Sequence, residues 1–243
     1  MSLLTVNLNY VAALRGLSGA KEPDPAQAAV LAELAGADGI SVLLQRDRSQ
    51  VRERDMYLLK GVSKTRLTVA IAPVDELIDR VLEVKPWMVV LVADQAGGEG
   101  RVSTIDFAQA PVDYSEISAR FTGAGLSVAY LVAPDIEEIR GASKADASAV
   151  MIDCSGYTMA RTLEDAQSEL DRIDVAVQSA VKSNLSVHCA RGIDYKNVRP
   201  LVELGVIDDF TVGGAICGRA MLVGMERAVH EMNTLLHLEQ PPQ

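Results

Sequence analysis

The chain has 243 residues, 49% of them hydrophobic, and a formal net charge of −10 at pH 7. That length and apolar content suit a single domain, residues 1–243, with one large core. The acidic balance excludes non-specific nucleic-acid binding, and it requires that an anionic substrate be held by local positive groups. No apolar run reaches the roughly 18 residues of a membrane span, and no basic-then-apolar signal segment opens the chain. Three cysteines without metal-type spacing, Cys154, Cys189 and Cys217, indicate a reduced, cytoplasmic protein.

Apolar segments that suit buried strands alternate with helical patterns along the whole chain. The first predicted helix has clear ends, because Asp24 is a natural N-cap, Pro25 fits the first helical position and Gly36 closes the helix. The predicted strands span residues 3–7, 39–44, 67–71, 88–92, 127–132, 149–153, 186–189 and a run that ends at Gly213. The predicted helices span residues 25–35, a stretch that ends near 59, and residues 74–85, 114–122, 135–142, 162–182, 195–204 and 219–237.

Eight nearly continuous apolar strands that alternate with helices are typical of a parallel α/β protein. A closed TIM (β/α)8 barrel fits this pattern best, and an open doubly wound sheet is the alternative. Residues 94–104 form a polar, glycine-rich segment that suits either a mobile lid or an ordinary surface loop.

Two glycine turns follow the last two predicted strands, at Gly192 and at Gly213-Gly214. Glycine lets backbone amide groups come close to a ligand, and free amides at a helix N-terminus bind anions. In a barrel of eight strand–helix units, the loops after the last two strands commonly hold a phosphate. The sequence therefore predicts a phosphate site at these turns, and two ordinary connecting turns are the alternative.

Five segments of the chain, in order, resemble the pyridoxine 5′-phosphate synthase family: VNLNYVAALR, PDPAQAAVLAELAGADGISV, DRSQVRERD, RGIDYKNV and VGGAICGRAMLVG. The resemblance implies a TIM barrel with extra helices that assembles as a homo-octamer. It also implies an enzyme that condenses 3-amino-2-oxopropyl phosphate with 1-deoxy-D-xylulose 5-phosphate, with neither a metal nor an organic cofactor.

The catalytic positions of that family are largely replaced in this chain. By the resemblance, Leu43 stands in place of a histidine, Ala70 in place of a glutamate and Arg191 in place of a second histidine. The family's Asp-His pair is Asn9-Tyr10 here. Leucine and alanine carry no titratable group, and arginine does not release a proton near neutral pH. Each positioned acid or base is worth about 10²–10⁴ in rate, so we expect the family's ring closure to be lost.

The positions that bind substrate are changed in part. Three family positions are retained, at Asn7, Gly192 and Gly213. Arginines or histidines of the family are replaced at four others, by Ser18, Gln45, Gln50 and Gly214. Arg191 adds a guanidinium, which can bind a phosphate through two parallel hydrogen bonds. The residues expected to surround a substrate and its phosphate are Asn7, Ser18, Leu43, Gln45, Ala70, Gly192, Gly213 and Gly214.

Four residues at or near strand ends are candidates for new chemistry: Arg191, Tyr10, His188 and Cys154. His188 and Cys189 are neighbours on one strand, so alternation directs at most one of them toward the centre of the barrel. For His188 the alternative is a buried histidine whose hydrogen bonds are satisfied. For Cys154 the alternative is a small buried thiol.

Three functions remain open from the sequence. The first is a diverged biosynthetic enzyme that acts on a small phosphorylated or anionic metabolite by carbonyl condensation, cyclisation or isomerisation. The second is a non-catalytic binding or regulatory barrel, and the third is an authentic synthase with relocated acids and bases. For the first we expect an open cavity with an apolar side and a cationic side, bounded by Asn7, Tyr10, Leu43, Ala70, Arg191 and Gly214.

Overall fold

A computed structural model describes residues 2–47, 50–93 and 103–237 of the chain. Within these ranges eight parallel strands pair in chain order, and the last strand pairs with the first to close a barrel. The strands are β1 (Leu3–Asn7), β2 (Gly39–Leu44), β3 (Arg66–Ile71), β4 (Met88–Leu91), β5 (Ser127–Val132), β6 (Ala149–Asp153), β7 (Ser186–Ala190) and β8 (Asp209–Val212). The predicted TIM barrel is therefore confirmed, and the open doubly wound sheet is excluded.

Helices follow the strands and pack around the barrel. In the described ranges they are α1 (Asn9–Ser18), α2 (Pro25–Leu34), α3 (Glu53–Val62), α4 (Asp75–Val84), α5 (Tyr114–Gly123), α6 (Ile136–Lys144), α7 (Ser155–Thr158), α8 (Leu163–Lys182), α9 (Val198–Glu203), α10 (Gly214–Val223) and α11 (Met225–His237). The predicted cap of α2 is present, since the Asp24 carboxylate accepts a hydrogen bond from the Ala26 amide at 2.8 Å. Of the helices in these ranges, none is long and apolar enough to cross a membrane.

The predicted last helix, residues 219–237, is wrong at its start. The structure has two helices in this region, α10 and α11, separated by Gly224. Gly224 has a φ of 86°, a left-handed conformation that side-chain-bearing residues rarely adopt, and it ends α10. Because α10 begins at Gly214, directly after β8, its N-terminus lies at the end of the barrel where the strands terminate.

Three further helices differ from the prediction: α1 and α7 are not predicted, and the helix expected at residues 195–204 is the shorter α9. The residue before α1, Leu8, makes no capping hydrogen bond among the described residues, so the usual start signal is missing from the sequence. The start of α9 is delayed by a turn. In that turn the Asp194 carboxylate accepts hydrogen bonds from the amides of Lys196 and Asn197, at 2.7 and 2.9 Å. Local bonds of this kind compete with helix formation.

The strands carry one apolar cluster on each face of the barrel wall. The larger cluster lies between the strands and the helices, and the smaller one fills part of the barrel interior. Alternation along β7 shows the division, since Cys189 belongs to the outer cluster and Ala190 to the inner one. All residues of β2 are buried for the same reason, because both faces of the strand are covered.

A polar cluster occupies the barrel near the end where the strands begin. Asp209, the first residue of β8, accepts a hydrogen bond from the Thr5 hydroxyl at 2.8 Å and lies 3.9 Å from the Arg66 guanidinium. His188 is its neighbour on β7, with Nε2 3.3 Å from the Ser186 hydroxyl. Burial raises the pKa of Asp209 to about 6 and lowers the pKa of His188 to about 4. Both side chains therefore resist becoming charged in the folded protein.

Candidate functional site

A cavity of about 380 Å³ opens at the end of the barrel where the strands terminate. All eight strands, or the turns that follow them, contribute to its wall, because the ends of parallel strands in a barrel converge on one space. The six residues that the sequence predicts around a common cavity all line it: Asn7, Tyr10, Leu43, Ala70, Arg191 and Gly214. The predicted cavity is present, and its volume is in the usual range for small-molecule sites.

The wall of the cavity has a polar and an apolar side. Amide and hydroxyl side chains come from β8, β1, β2 and β3, namely Thr211, Asn7, Ser41 and Thr68. Apolar side chains come from β4, β5 and β6, namely Val90, Leu131 and Met151. Leu43 and Ala70 add to the apolar surface at the two positions where the resemblance places a histidine and a glutamate.

Arg191 and Gly192 form the turn that ends β7, and both have a left-handed backbone, with φ angles of 76° and 73°. The hydroxyl of Thr158, in α7, donates a hydrogen bond to the Arg191 carbonyl at 3.3 Å. A Cβ atom on Gly192 would overlap the Thr158 side chain, and the left-handed φ would strain any larger residue. Glycine is therefore required at this position by the packing of α7 against the turn.

The guanidinium of Arg191 forms an ion pair with Asp153, the last residue of β6, with Nη1 3.2 Å from Oδ2. The other carboxylate oxygen, Oδ1, accepts a hydrogen bond from the Ser155 amide at 2.8 Å. The Arg191 side chain is 34% exposed, whereas the Asp153 side chain is 12% exposed. The arginine thus reaches the cavity with its charge partly balanced by a fixed carboxylate.

The N-terminus of α10 forms the second part of the predicted phosphate site, because Gly213 and Gly214 both line the cavity. A Cβ atom on Gly213 would lie 3.1 Å from the Cβ of Asn7, and one on Gly214 would lie 3.1 Å from the Tyr10 ring. The two glycines therefore let the start of the helix approach Asn7 and Tyr10 closely. The first amide groups of a helix have no carbonyl partner within it, and together with the helix dipole they attract anions.

Asn9 holds the wall of the cavity in place. Its Oδ1 accepts a hydrogen bond from the Leu43 amide at 2.7 Å, and its Nδ2 donates to the Leu43 carbonyl at 3.3 Å and to Gln50 Oε1 at 3.4 Å. The Asn9 amide in turn donates to Asn7 Oδ1 at 3.1 Å. Asparagine can both donate and accept at the Leu43 backbone, which an ionised aspartate cannot do. The family resemblance marks Asn9 as a replaced residue, but the sequence gives no sign of this role.

Few groups in the cavity can transfer a proton. Among the cavity-lining residues of the described ranges, Tyr10 and Arg191 are the ones with titratable side chains. Tyr10 is 56% exposed, and its ring lies against Gly214. Arginine stays protonated in proteins. Of these two lining residues, Tyr10 is therefore the one whose side chain can act as an acid or a base. The described residues also contain no group of three His, Cys, Asp or Glu side chains that could hold a metal ion.

His188 and Cys154 lie outside the cavity. His188 is on the interior side of β7, but it belongs to the polar cluster near the other end of the barrel. Cys154 is fully buried beside Cys189, whose pKa is raised well above its usual value by the hydrogen bond with Cys154 and by burial. The catalytic roles predicted for His188 and Cys154 stay predictions, and neither side chain is brought together with Arg191.

The remaining predicted residues are divided between the cavity and its surroundings. Gln50 lines the cavity, whereas Gln45 is not among the lining residues. Ser18 is the last residue of α1, and its side chain lies outside the described part of the chain. Most of the candidate lid, residues 94–102, also lies outside the described residues. The binding roles of Ser18 and Gln45 stay predictions.

Comparison with known proteins gives the same family as the resemblance, and the match extends over nearly the whole chain. Residues 4–238 match the family model described as "Pyridoxal phosphate biosynthesis protein PdxJ". A pyridoxine 5′-phosphate synthase of Syntrophotalea carbinolica is 37% identical over 239 residues, which cover 97% of this chain and 99% of the relative. A pyridoxine 5′-phosphate synthase of Geotalea uraniireducens is 35% identical over 236 residues, with the same coverage.

Solved structures with little sequence similarity share the fold. One described as "Native KDPGal structure" has 15% identity and a TM-score of 0.63, and the match covers 96% of this chain and 93% of the other. Phosphoribosyl anthranilate isomerase from Thermus thermophilus has 12% identity and a TM-score of 0.60, over 96% of this chain and 98% of the other. Likeness at this identity concerns the fold alone. The family model and the relatives above show that the chain belongs to the PdxJ family of pyridoxal phosphate biosynthesis proteins.

Proposed function

We propose that this chain binds a small phosphorylated or otherwise anionic metabolite in the cavity at the ends of the strands. The observation that carries the proposal is the meeting of Arg191 and the N-terminus of α10 at one cavity whose far side is apolar. Gly192, Gly213 and Gly214 bring backbone amides to the same place. An anionic group would lie against these amides and the guanidinium, and the less polar body of the ligand would lie against β4 to β6.

Replacing Arg191 with alanine should weaken binding of inorganic phosphate at least tenfold, because a hydrogen bond to a charged group is worth about 1.5–3 kcal/mol. Isothermal titration calorimetry in a slightly acidic buffer measures this effect. Arg191→Gly serves as a second variant, since glycine adopts the left-handed φ without strain. Arg199→Ala, at an exposed arginine on α9, is the matched control and should bind like the unmodified protein. Equal affinity in all four proteins would exclude the proposed anion site.

We further propose that the chain does not close the pyridine ring of pyridoxine 5′-phosphate. The resemblance places the acids and bases of that reaction at Leu43, Ala70 and Arg191, and these residues cannot perform its proton transfers. Purified protein incubated with the two family substrates should yield no detectable pyridoxine 5′-phosphate, measured by chromatography. A strain without its own synthase should stay dependent on added vitamin. Rescue at ordinary expression would show that the required groups come from elsewhere in the chain.

The chemistry that we propose for the bound metabolite is carbonyl condensation, cyclisation or isomerisation, with the Tyr10 hydroxyl as the proton donor. Tyr10 supports this role because its ring lies against Gly214, at the edge of the proposed anion site. A non-catalytic binding or regulatory barrel is the second candidate, and the scarcity of titratable side chains in the cavity favours it. The two differ in whether a bound ligand is chemically changed, which nuclear magnetic resonance of a mixed ligand library would detect.

The proposal also covers the assembly of the chain and its cellular compartment. The family resemblance supports a homo-oligomer, with the octamer as the expected form. Three buried cysteines without a disulfide fit a reducing cytoplasm.

A further inference from the structure

The polar side of the cavity carries hydrogen-bonding groups whose direction is fixed by backbone amides. A backbone amide can only donate, so the side-chain atom that it contacts must be an acceptor. The amide of Asn9 donates to Asn7 Oδ1 at 3.1 Å, which identifies the other terminal atom of Asn7 as the donor Nδ2. That Nδ2 donates to the Ser41 hydroxyl oxygen at 3.1 Å. The Ser41 oxygen is therefore already used as an acceptor.

The Ser41 hydroxyl keeps a hydrogen that none of the described residues accepts. Ser41 is 4% exposed and lines the cavity, so this hydrogen finds an acceptor only within the cavity. Thr68 is the partner of Ser41 on β3 and also lines the cavity. Its hydroxyl forms no hydrogen bond with the residues that the structure describes. Two neighbouring hydroxyl groups of this wall are thus left for a ligand.

A second chain of contacts runs in the same direction. The Leu43 amide donates to Asn9 Oδ1 at 2.7 Å, which makes Asn9 Nδ2 the donor to Gln50 Oε1 at 3.4 Å. With Oε1 used as an acceptor, the Nε2 of Gln50 is left as a donor, and it forms no hydrogen bond within the described ranges. Gln50 lines the cavity. Both chains therefore begin at a backbone amide and end at a donor in the cavity wall.

We infer that this wall is a subsite for an uncharged hydrogen-bond acceptor of the ligand, such as a ketone or amide oxygen. Arg191, the cation that lines the cavity in the described ranges, follows β7, whereas Ser41 and Thr68 are on β2 and β3. A charged acceptor would lose its hydration at this wall without gaining a cation. A protonated amine brings donors to donors and leaves those of Ser41 and Gln50 unpaired. This inference rests on the proposed function, because the anionic end of the same ligand is proposed to lie at Arg191 and α10.

The separation of the two subsites sets the length of the ligand. Gly213 lies beside Asn7, and Asn7 is the partner of Ser41 on the next strand. Neighbouring strands lie about 4.8 Å apart, so Gly213 and Ser41 are about 10 Å apart. A hydrogen bond of about 3 Å at each end leaves about 4 Å between the anionic group and the acceptor oxygen. A chain of two or three carbon atoms spans that distance.

Three carboxylates with one skeleton test the polarity of the wall. The fourth carbon carries a ketone oxygen in 4-oxopentanoate, a second methyl group in 4-methylpentanoate and an ammonium group in 4-aminopentanoate. Calorimetric titration of the unmodified protein at neutral pH should show 4-oxopentanoate binding roughly fivefold or more tightly than either of the others, because these leave the donors unpaired. If either of them binds as tightly as 4-oxopentanoate, the acceptor subsite is refuted and the anion site stands. If neither these carboxylates nor inorganic phosphate binds, the proposed function itself fails.

Gln50→Met and Thr68→Val test the residues themselves, since each removes a polar group and keeps a side chain of similar size. In each variant the ratio of the affinities for 4-oxopentanoate and 4-methylpentanoate should fall roughly twofold or more. A purely structural role would weaken the binding of both probes and leave the ratio unchanged. Gln178→Met, at an exposed glutamine on α8, is the matched control and should keep the ratio of the unmodified protein. An unchanged ratio in both test variants would contradict the assignment of the subsite to this wall.

Discussion

Arg15→Ala should lower the free energy of unfolding by about 3–5 kcal/mol, the usual cost of removing one partner from a buried ion pair. Arg15 on α1 binds Asp55 on α3 through two parallel contacts, Nη1–Oδ1 at 2.8 Å and Nη2–Oδ2 at 2.6 Å. The Arg15 side chain is 6% exposed and the Asp55 side chain 4%. Burial alone would raise the pKa of Asp55, but the hydrogen bonds from Arg15 and from the Arg52 amide outweigh it and hold the pKa below its usual value. The alanine variant leaves this carboxylate buried without its cation, and urea unfolding followed by Trp87 fluorescence measures the loss.

Two comparisons define this effect. Arg199 forms an exposed ion pair with Glu203 at 3.0 Å, so Arg199→Ala should change the stability by less than about 1 kcal/mol. The double variant Arg15→Met with Asp55→Leu removes both charges and should recover most of the loss. Recovery should fall short by about 1 kcal/mol, because Asp55 also accepts the Arg52 amide at 2.8 Å and so caps α3. An Arg15→Ala variant no less stable than Arg199→Ala would contradict the buried pair.

The same pair connects the outer helices to the cavity. Arg15 Nη2 also donates to the Gln50 carbonyl at 3.1 Å, and Gln50 lines the cavity next to Asn9. Gln50 is therefore held by two residues of α1, at its carbonyl by Arg15 and at its side chain by Asn9. Loss of Arg15 should weaken ligand binding as well as stability, although Arg15 does not line the cavity.

The strands and their order were predictable because their signals are local. The run GISVLL is apolar apart from Ser41 and is followed by polar residues, and burial on both faces of a barrel strand leaves that pattern in the sequence. Helices without a side-chain cap, such as α1, leave no comparable signal. The break at Gly224 is also hidden, because glycine inside an apolar helical pattern does not by itself fix a left-handed φ.

The residues of the site were predictable where the strand order alone determines that they come together. Leu43 and Ala70 lie near the ends of the neighbouring strands β2 and β3, and Arg191 lies in the turn after β7. All three line one cavity because the strand ends of a closed barrel converge on one space. The Asp153–Arg191 pair does not follow in this way, because it needs the left-handed turn after β7 and the position of α7. Strand alternation places His188 inside the barrel but does not say at which depth, and the structure places it in the polar cluster near the other end.

The two buried titratable groups of that polar cluster should give opposite pH dependence to the stability. The pKa of Asp209 is raised from 3.8 to about 6, so its stabilising contribution is complete below about pH 4 and is lost as the pH rises through 6. The pKa of His188 is lowered from 6.5 to about 4, so its contribution is complete above about pH 6.5 and is lost as the pH falls through 4. Each shift of about two units corresponds to roughly 3 kcal/mol, and the two nearly cancel in the unmodified protein.

A variant that removes one of the two groups should reveal the pH dependence that the other gives to the stability. In Asp209→Asn, acidification from about pH 6.5 to about pH 4 should cost about 3 kcal/mol more unfolding free energy than in the unmodified protein, since only the His188 contribution is lost. In His188→Gln the same acidification should cost about 3 kcal/mol less. Urea unfolding at the two pH values measures both differences. The neighbouring charges of Asp38, Asp208 and Arg66 are present in every protein compared, so their own pH dependence largely cancels. Shifts in the same direction for both variants, or none in either, would show that these side chains are not held neutral in the barrel.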